Sequence, residues 1–98
     1  MNNAVTKIAK ENLADLVTFA PRERFEPTDP IFKILPETQT VICLGFRVLR
    51  GIYRGTEEGT TYYQYTTMGV ENMEETIMPM AQLRVAAFLE EKGFLALP

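Results

Sequence analysis

The side chains best suited to chemistry are three neighbouring arginines, Arg47, Arg50 and Arg54, together with Tyr53. Guanidinium groups bind phosphate or carboxylate through paired hydrogen bonds, and a nearby aromatic ring adds a contact surface. These residues follow the most apolar run of the chain, at the strand end where open α/β sheets tend to place ligands. The spacing predicts contact with an anionic ligand or cofactor there. The alternative is an exposed arginine loop beside aromatic packing.

The amino-acid composition excludes most other kinds of catalytic or metal site. The chain has no histidine, no tryptophan and one cysteine, Cys43. Ser-His-Asp and Cys-His mechanisms need an imidazole base, and zinc or iron–sulphur sites need several Cys or His ligands. No complete catalytic or metal site is therefore predicted, we expect no cofactor to be bound by this chain alone, and its status as an enzyme stays open.

Charge and hydropathy limit the partners and the cellular location that are expected of the protein. The net charge is −3 with both signs mixed, which argues against nucleic-acid binding through a basic patch. No apolar run approaches the length of about 20 residues that a membrane span requires. The N-terminus has no signal-peptide pattern, and a single cysteine fits a reducing compartment. We predict a cytoplasmic protein that does not insert into membranes.

The first part of the chain predicts a helix followed by a strand. Apolar residues recur at helical spacing from about Asn3 to Leu13, and Leu16–Ala20 is β-branched and aromatic. Four prolines then interrupt residues 21–38, where Ile31–Leu35 predicts one helical turn. Arg22, Glu23 and Arg24 in this region are expected to form a solvated loop, with phosphate contact as the alternative.

The second part of the chain predicts a strand at Thr40–Val48, a long helix and a final strand. The helical stripe starts at Val70 and continues to Gly93, with a kink or break before Pro79. Phe94–Leu97 resembles the start of another strand. The expected fold is a small α/β (α+β) domain with a mixed sheet, packed by an N-terminal and a long C-terminal helix in the order α-β-β-α-β.

Two residues of the central strand carry specific expectations. Val41–Leu44 is continuously apolar, which predicts a strand covered on both faces and Cys43 as an inert core residue. Gly45 interrupts the run. It indicates either a bulge or a close approach of the backbone to a ligand.

Four segments occur in an order that resembles a known family. They are DLVTFA (residues 15–20), LPETQTVICLG (35–45), YQY (63–65) and AFLEEKGFLALP (87–98). Together they resemble the N-terminal region of epoxyqueuosine reductase-like iron–sulphur proteins, relatives of corrinoid-dependent reductive dehalogenases. Leu13 and Thr18 stand where that family's pattern prefers glycine. The cysteine-rich ferredoxin-like segment of the family lies further downstream and is absent from this sequence.

The resemblance implies that residues 1–98 form a single domain, a fragment or truncated relative of a larger protein. It implies the cofactor-side domain of a reductase that is inactive alone, with a corrinoid or flavin and 4Fe–4S clusters in the full-length family. The alternative is a stand-alone, non-catalytic association or small-ligand-binding module. A chain that ends on an apolar strand is also expected to form a homodimer. The residues expected near that contact are Met78, Met80, Phe94, Leu95 and Leu97.

Overall fold

The computed structural model describes residues 1–50 and 67–98. It confirms a small domain of mixed α+β class. The regular elements in chain order are helix α1 (Asn2–Glu11), strand β1 (Leu16–Pro21), a 3-10 turn (Arg22–Arg24), the short helix α2 (Ile31–Ile34), strand β2 (Thr40–Gly45), two π-helical stretches (Thr67–Glu71 and Met73–Ile77) and helix α3 (Met78–Glu91). Among the described residues, no helix is both long and apolar enough to cross a membrane.

The two strands pair antiparallel, and one face of the sheet packs on the helices. Val17 lies opposite Leu44 and Phe19 opposite Ile42, so these four side chains share a face. They pack against a small buried cluster contributed by both long helices and the turn after α1. The members of that cluster are Val5, Ala9, Ala14 and Val85.

The opposite face of the sheet carries several exposed residues, which corrects the expectation of a strand covered on both sides. Thr18 lies opposite Cys43 on this face, and Leu16, Thr18 and Cys43 are all exposed. The reason is that the described helices α1 and α3 contribute to a single core, against which only the other face packs. The prediction that Cys43 is a core residue is therefore wrong.

The position of Cys43 predicts rapid modification of the folded protein. An exposed thiol is reached by a small reagent without unfolding, so a disulfide reagent should label native and denatured protein at comparable rates. Replacing Cys43 with serine should leave the free energy of unfolding nearly unchanged, because exposed substitutions usually change it by less than about 0.5 kcal/mol. Labelling that required denaturation would contradict this placement.

Helix α1 ends in a Schellman motif built on an unusual residue. The amide of Ala14 donates to the Ala9 carbonyl at 3.0 Å, and the amide of Leu13 donates to the Lys10 carbonyl at 3.2 Å. Leu13 takes a left-handed backbone conformation with φ of 76°. This conformation favours glycine.

Replacing Leu13 with glycine should stabilise the domain. A left-handed conformation costs a non-glycine residue about 1–2 kcal/mol, whereas the added chain entropy of glycine costs about 0.5–1 kcal/mol. The Leu13 side chain is 63% exposed, so little packing is lost, and a net gain of about 0.5–1 kcal/mol is expected. Thermal and urea unfolding measure it.

Gly93 supplies the reciprocal control for this prediction. It ends α3 in the same motif with φ of +96°, and a Cβ there would meet nothing within 4 Å. Gly93→Ala should therefore destabilise through backbone strain alone, whereas Leu13→Ala should give no gain. Equal stability of Leu13→Gly and Leu13→Ala would contradict the interpretation.

The region before Pro79, where the sequence predicts a kink or break, is π-helical. Proline has no amide hydrogen, and its ring clashes with the carbonyl four residues earlier in an α-helix. The π-helical stretch Met73–Ile77 lies directly before α3, which carries Pro79 in its first turn. The wider π turn thus precedes the α-helix at the point where proline disfavours an α-helical hydrogen bond.

The two predicted strand ends after Gly45 and Gly93 differ from the structure. Strand β2 stops at Gly45 instead of Val48, because the Arg47 amide donates to the Asp15 carboxylate at 2.9 Å and not to a strand. Residues 94–98 form no strand. The amide of Phe94 donates to the Leu89 carbonyl at 3.1 Å. This bond belongs to the cap of α3, so the amide is not available for pairing in a sheet.

Candidate functional site: an apolar groove between the sheet and helix α3

The predicted arginine cluster is described only in part. Arg47 and Arg50 are both exposed, and Tyr53 and Arg54 lie outside the described residues. The Nε atom of Arg47 lies 3.8 Å from an Asp15 carboxylate oxygen, and the Arg47 side chain is 72% exposed. Asp15, which the sequence did not single out, therefore partly neutralises Arg47 at the end of the β1–β2 ladder. Solvent screens such an exposed pair strongly.

Arg22 does not form the solvated loop expected of it. Its Nη1 atom donates to the carbonyls of Pro36 and Thr38, each at 2.8 Å. Its guanidinium lies 4.4 Å from the centroid of the Phe32 ring, and its backbone amide donates to Gln39 at 2.8 Å. These contacts join the end of β1 to the loop before β2. They also occupy the Arg22 guanidinium, which is the group that would otherwise contact phosphate.

The close approach at Gly45 is made by a neighbouring strand. An ideal Cβ at Gly45 would lie 3.1 Å from the Cβ of Leu16, the residue paired with it across the sheet. That separation is tighter than ordinary van der Waals contact. Strand packing therefore accounts for a small residue at this position without a ligand.

The described residues form an apolar groove of about 770 Å³. Its floor is the core-facing side of the sheet, and its sides come from both ends of the described chain. Apolar residues that line it include Val5, Phe19, Ile31, Leu35, Ile42, Leu44, Val85, Ala86, Leu89, Phe94, Leu95 and Leu97. This volume falls within the range of small-molecule binding sites.

The polar groups of the apolar groove are few and mostly uncharged. Among the described residues that line it, Glu37 is the one side chain with a formal charge, and amide or hydroxyl groups come from Asn2, Thr38, Gln39, Thr40 and Gln82. Thr38 donates its hydroxyl to the Leu35 carbonyl at 2.6 Å. The lining therefore suits an apolar or amphipathic group that needs few ionic contacts.

Sequence reasoning did not predict the apolar groove. Its residues belong to five separate segments, and only their packing in three dimensions brings them to one surface. The one usable signal was apolar character at Phe94, Leu95 and Leu97, which the sequence assigned to a strand. In the structure all three are more than half exposed and line the groove.

The described part of the chain contains no cluster of side chains arranged to bind a metal ion. Residues 1–50 and 67–98 contain no group of three His, Cys, Asp or Glu side chains placed to hold a metal ion. Comparison of the chain with protein-family models, with curated proteins and with solved structures found no match.

Proposed function

We propose that this chain is a binding domain, and that it forms the cofactor side of a reductase similar to the epoxyqueuosine reductase group, inactive by itself. The observation that carries the proposal is the apolar groove, about 770 Å³ in volume and lined by both helices and the sheet. A groove with apolar walls and a few polar side chains is the usual form of a cofactor or ligand site.

Three of the four segments that carry the family resemblance contribute residues to this groove, and the fourth, residues 63–65, lies outside the described residues. Residues 15–20 contribute Phe19, residues 35–45 contribute Ile42 and Leu44, and residues 87–98 contribute Leu89 and Phe94. The left-handed backbone of Leu13 also falls where the family pattern prefers glycine. Segments chosen for their sequence alone thus share one surface, which supports a common binding role.

The residues of this chain suit some cofactors of the family that it resembles and not others. A 4Fe–4S cluster is held by four cysteine thiolates, and this chain has one cysteine, so the cluster does not fit here. A corrinoid or a flavin presents a broad ring system, and the apolar lining of the groove suits part of such a ring. A single exposed thiol also supports the proposed cytoplasmic location.

Ligand titration tests the proposal. The purified chain is titrated with hydroxocobalamin, with FMN and with the uncharged dye N-phenyl-1-naphthylamine, using absorbance or fluorescence. Binding of the dye together with one of the two cofactors supports a cofactor-side domain. Binding of the dye alone supports the stand-alone small-ligand-binding module, and no binding of any of the three overturns both.

Self-association is the second candidate role, and the exposed apolar residues near the groove favour it. Phe94, Leu95 and Leu97 are 53%, 64% and 57% exposed, and Met80 is 42% exposed. Phe94, Leu95 and Leu97 line the groove, whereas Met80 lies at the other end of α3. Exposed apolar side chains such as these favour pairing with another copy. Light scattering over a wide dilution range tests it: a dimer mass that falls on dilution supports association, and a monomer mass at the highest concentration excludes it.

A further inference from the structure

One side of the apolar groove is a segment with little regular structure, residues 31–40, which we call the wall segment. It contributes Ile31, Ile34, Leu35, Glu37, Thr38, Gln39 and Thr40 to the lining. Its regular structure is the single helical turn α2 and the first residue of β2. Several of its hydrogen bonds are local, for example Leu35 to Ile31 and Thr38 to Leu35. Local bonds fix its shape, and backbone contacts to β1 and Arg22 fix only its last two residues: Thr40 pairs with Pro21, and the Arg22 amide donates to the Gln39 carbonyl at 2.8 Å.

We propose that Arg22 is the positioning residue of the apolar groove, holding the wall segment at a fixed distance from the end of β1. Its guanidinium binds the carbonyls of Pro36 and Thr38 at 2.8 Å each and lies over the Phe32 ring. These three partners span most of the wall segment. One side chain therefore fixes the segment at several points.

The chemistry of this contact requires arginine. A charged donor forms stronger hydrogen bonds to carbonyl oxygens than a neutral donor does. The planar guanidinium also stacks on an aromatic ring while its edge donates hydrogen bonds, which an ammonium group does not reproduce. Arg24 lies two residues away with an exposed side chain, so it offers a control of equal charge.

The inference rests on the proposed binding role of the groove, and its test separates the two. Dissociation constants for N-phenyl-1-naphthylamine are measured for wild type, Arg22→Ala, Arg22→Lys, Phe32→Leu and Arg24→Ala, at a temperature where circular dichroism shows each to be folded. The dye is uncharged, so loss of a positive charge has no direct effect on it. Hydrogen exchange at the Leu35 and Thr38 amides, against the amides of the β1–β2 ladder, is measured in parallel.

The expected result is a weakening of dye binding by about fivefold or more for Arg22→Ala, because a preformed wall lowers the ordering cost of binding. Phe32→Leu and Arg22→Lys should change affinity in the same direction, and Arg24→Ala should match wild type. Exchange at Leu35 and Thr38 should accelerate in Arg22→Ala while ladder amides keep their rates.

Two outcomes overturn parts of this scheme separately. Equal dye affinity of Arg22→Ala and Arg24→Ala, or unchanged exchange at Leu35 and Thr38, overturns the role of Arg22 while the groove remains a binding site. Failure of wild type to bind the dye overturns the proposed binding role, and the exchange measurement then still decides whether Arg22 positions the wall segment. If Arg22→Ala does not fold, dye affinity and hydrogen exchange are compared in Arg22→Lys and Phe32→Leu instead.

Discussion

Replacing Val5 with aspartate is expected to unfold the domain. Val5 is 1% exposed and is the largest fully buried side chain among the described residues. It belongs to the cluster that joins α1, α3 and the sheet. A buried carboxylate without a partner costs about 3–5 kcal/mol, whereas the whole stability of a small domain is about 5–15 kcal/mol. With a core of few and mostly small residues, that loss is comparable to the total.

Circular dichroism at 222 nm and urea unfolding measure this effect. Asn3→Asp is the matched control, since it adds the same charge to the same helix at an exposed position and should leave stability within about 0.5 kcal/mol of wild type. A Val5→Asp protein with a native spectrum and an unchanged unfolding midpoint would show that α1 does not pack as described.

Replacing Ala86 with phenylalanine is expected to weaken ligand binding strongly. Ala86 is 7% exposed and lines the apolar groove from helix α3. A phenyl ring at this position enters the groove and occupies space that a ligand needs. The ring removes part of the apolar surface that a ligand would contact, so we expect dye affinity to fall by about tenfold or more, which corresponds to about 1.4 kcal/mol or more.

The neighbouring residue provides the control for this experiment. Ala87 is exposed, so Ala87→Phe adds the same ring to the same helix away from the groove. It should retain wild-type affinity for N-phenyl-1-naphthylamine. Equal and full binding by both variants would place the ligand somewhere other than the groove, and a loss in both would indicate a general effect on α3.

The local elements were largely predictable because short-range patterns specify them. The helix predicted from Asn3 forms at Asn2–Glu11, the strand predicted at Leu16–Ala20 forms at Leu16–Pro21, and Gly93 ends α3 in a left-handed cap. Each depends on residues close in sequence: side-chain periodicity, a β-branched run or one residue with positive φ. The class of fold follows from these elements.

The faces of the sheet were not predictable from the same patterns. An apolar run such as Val41–Leu44 is consistent with burial on two faces, but which face is covered depends on where distant helices pack. Here α1 and α3 share a core with one face, so Cys43 is exposed.

The candidate site could not be predicted from local sequence patterns either. Arg22 bonds to carbonyls that are 14 and 16 residues away, and backbone acceptors carry no sequence signature. The arginines at positions 47 and 50 were singled out by residue type, yet the concave surface lies between the sheet and α3, where mostly ordinary apolar residues meet.

The order in which the chain leaves the ribosome matters for this core, because its two helices lie at opposite ends of the described sequence. The contact between Arg84 and Asn12 spans 72 residues, and Val5 and Val85 share one buried cluster. Closing so long a loop is slow and costs chain entropy before any apolar contact repays it. During synthesis, the apolar side chains of α1 and the sheet that pack with α3 therefore stay exposed until α3 emerges. In that interval the nascent chain presents these side chains to chaperones, and a ribosome stalled before residue 85 would leave them without the helix that completes the core.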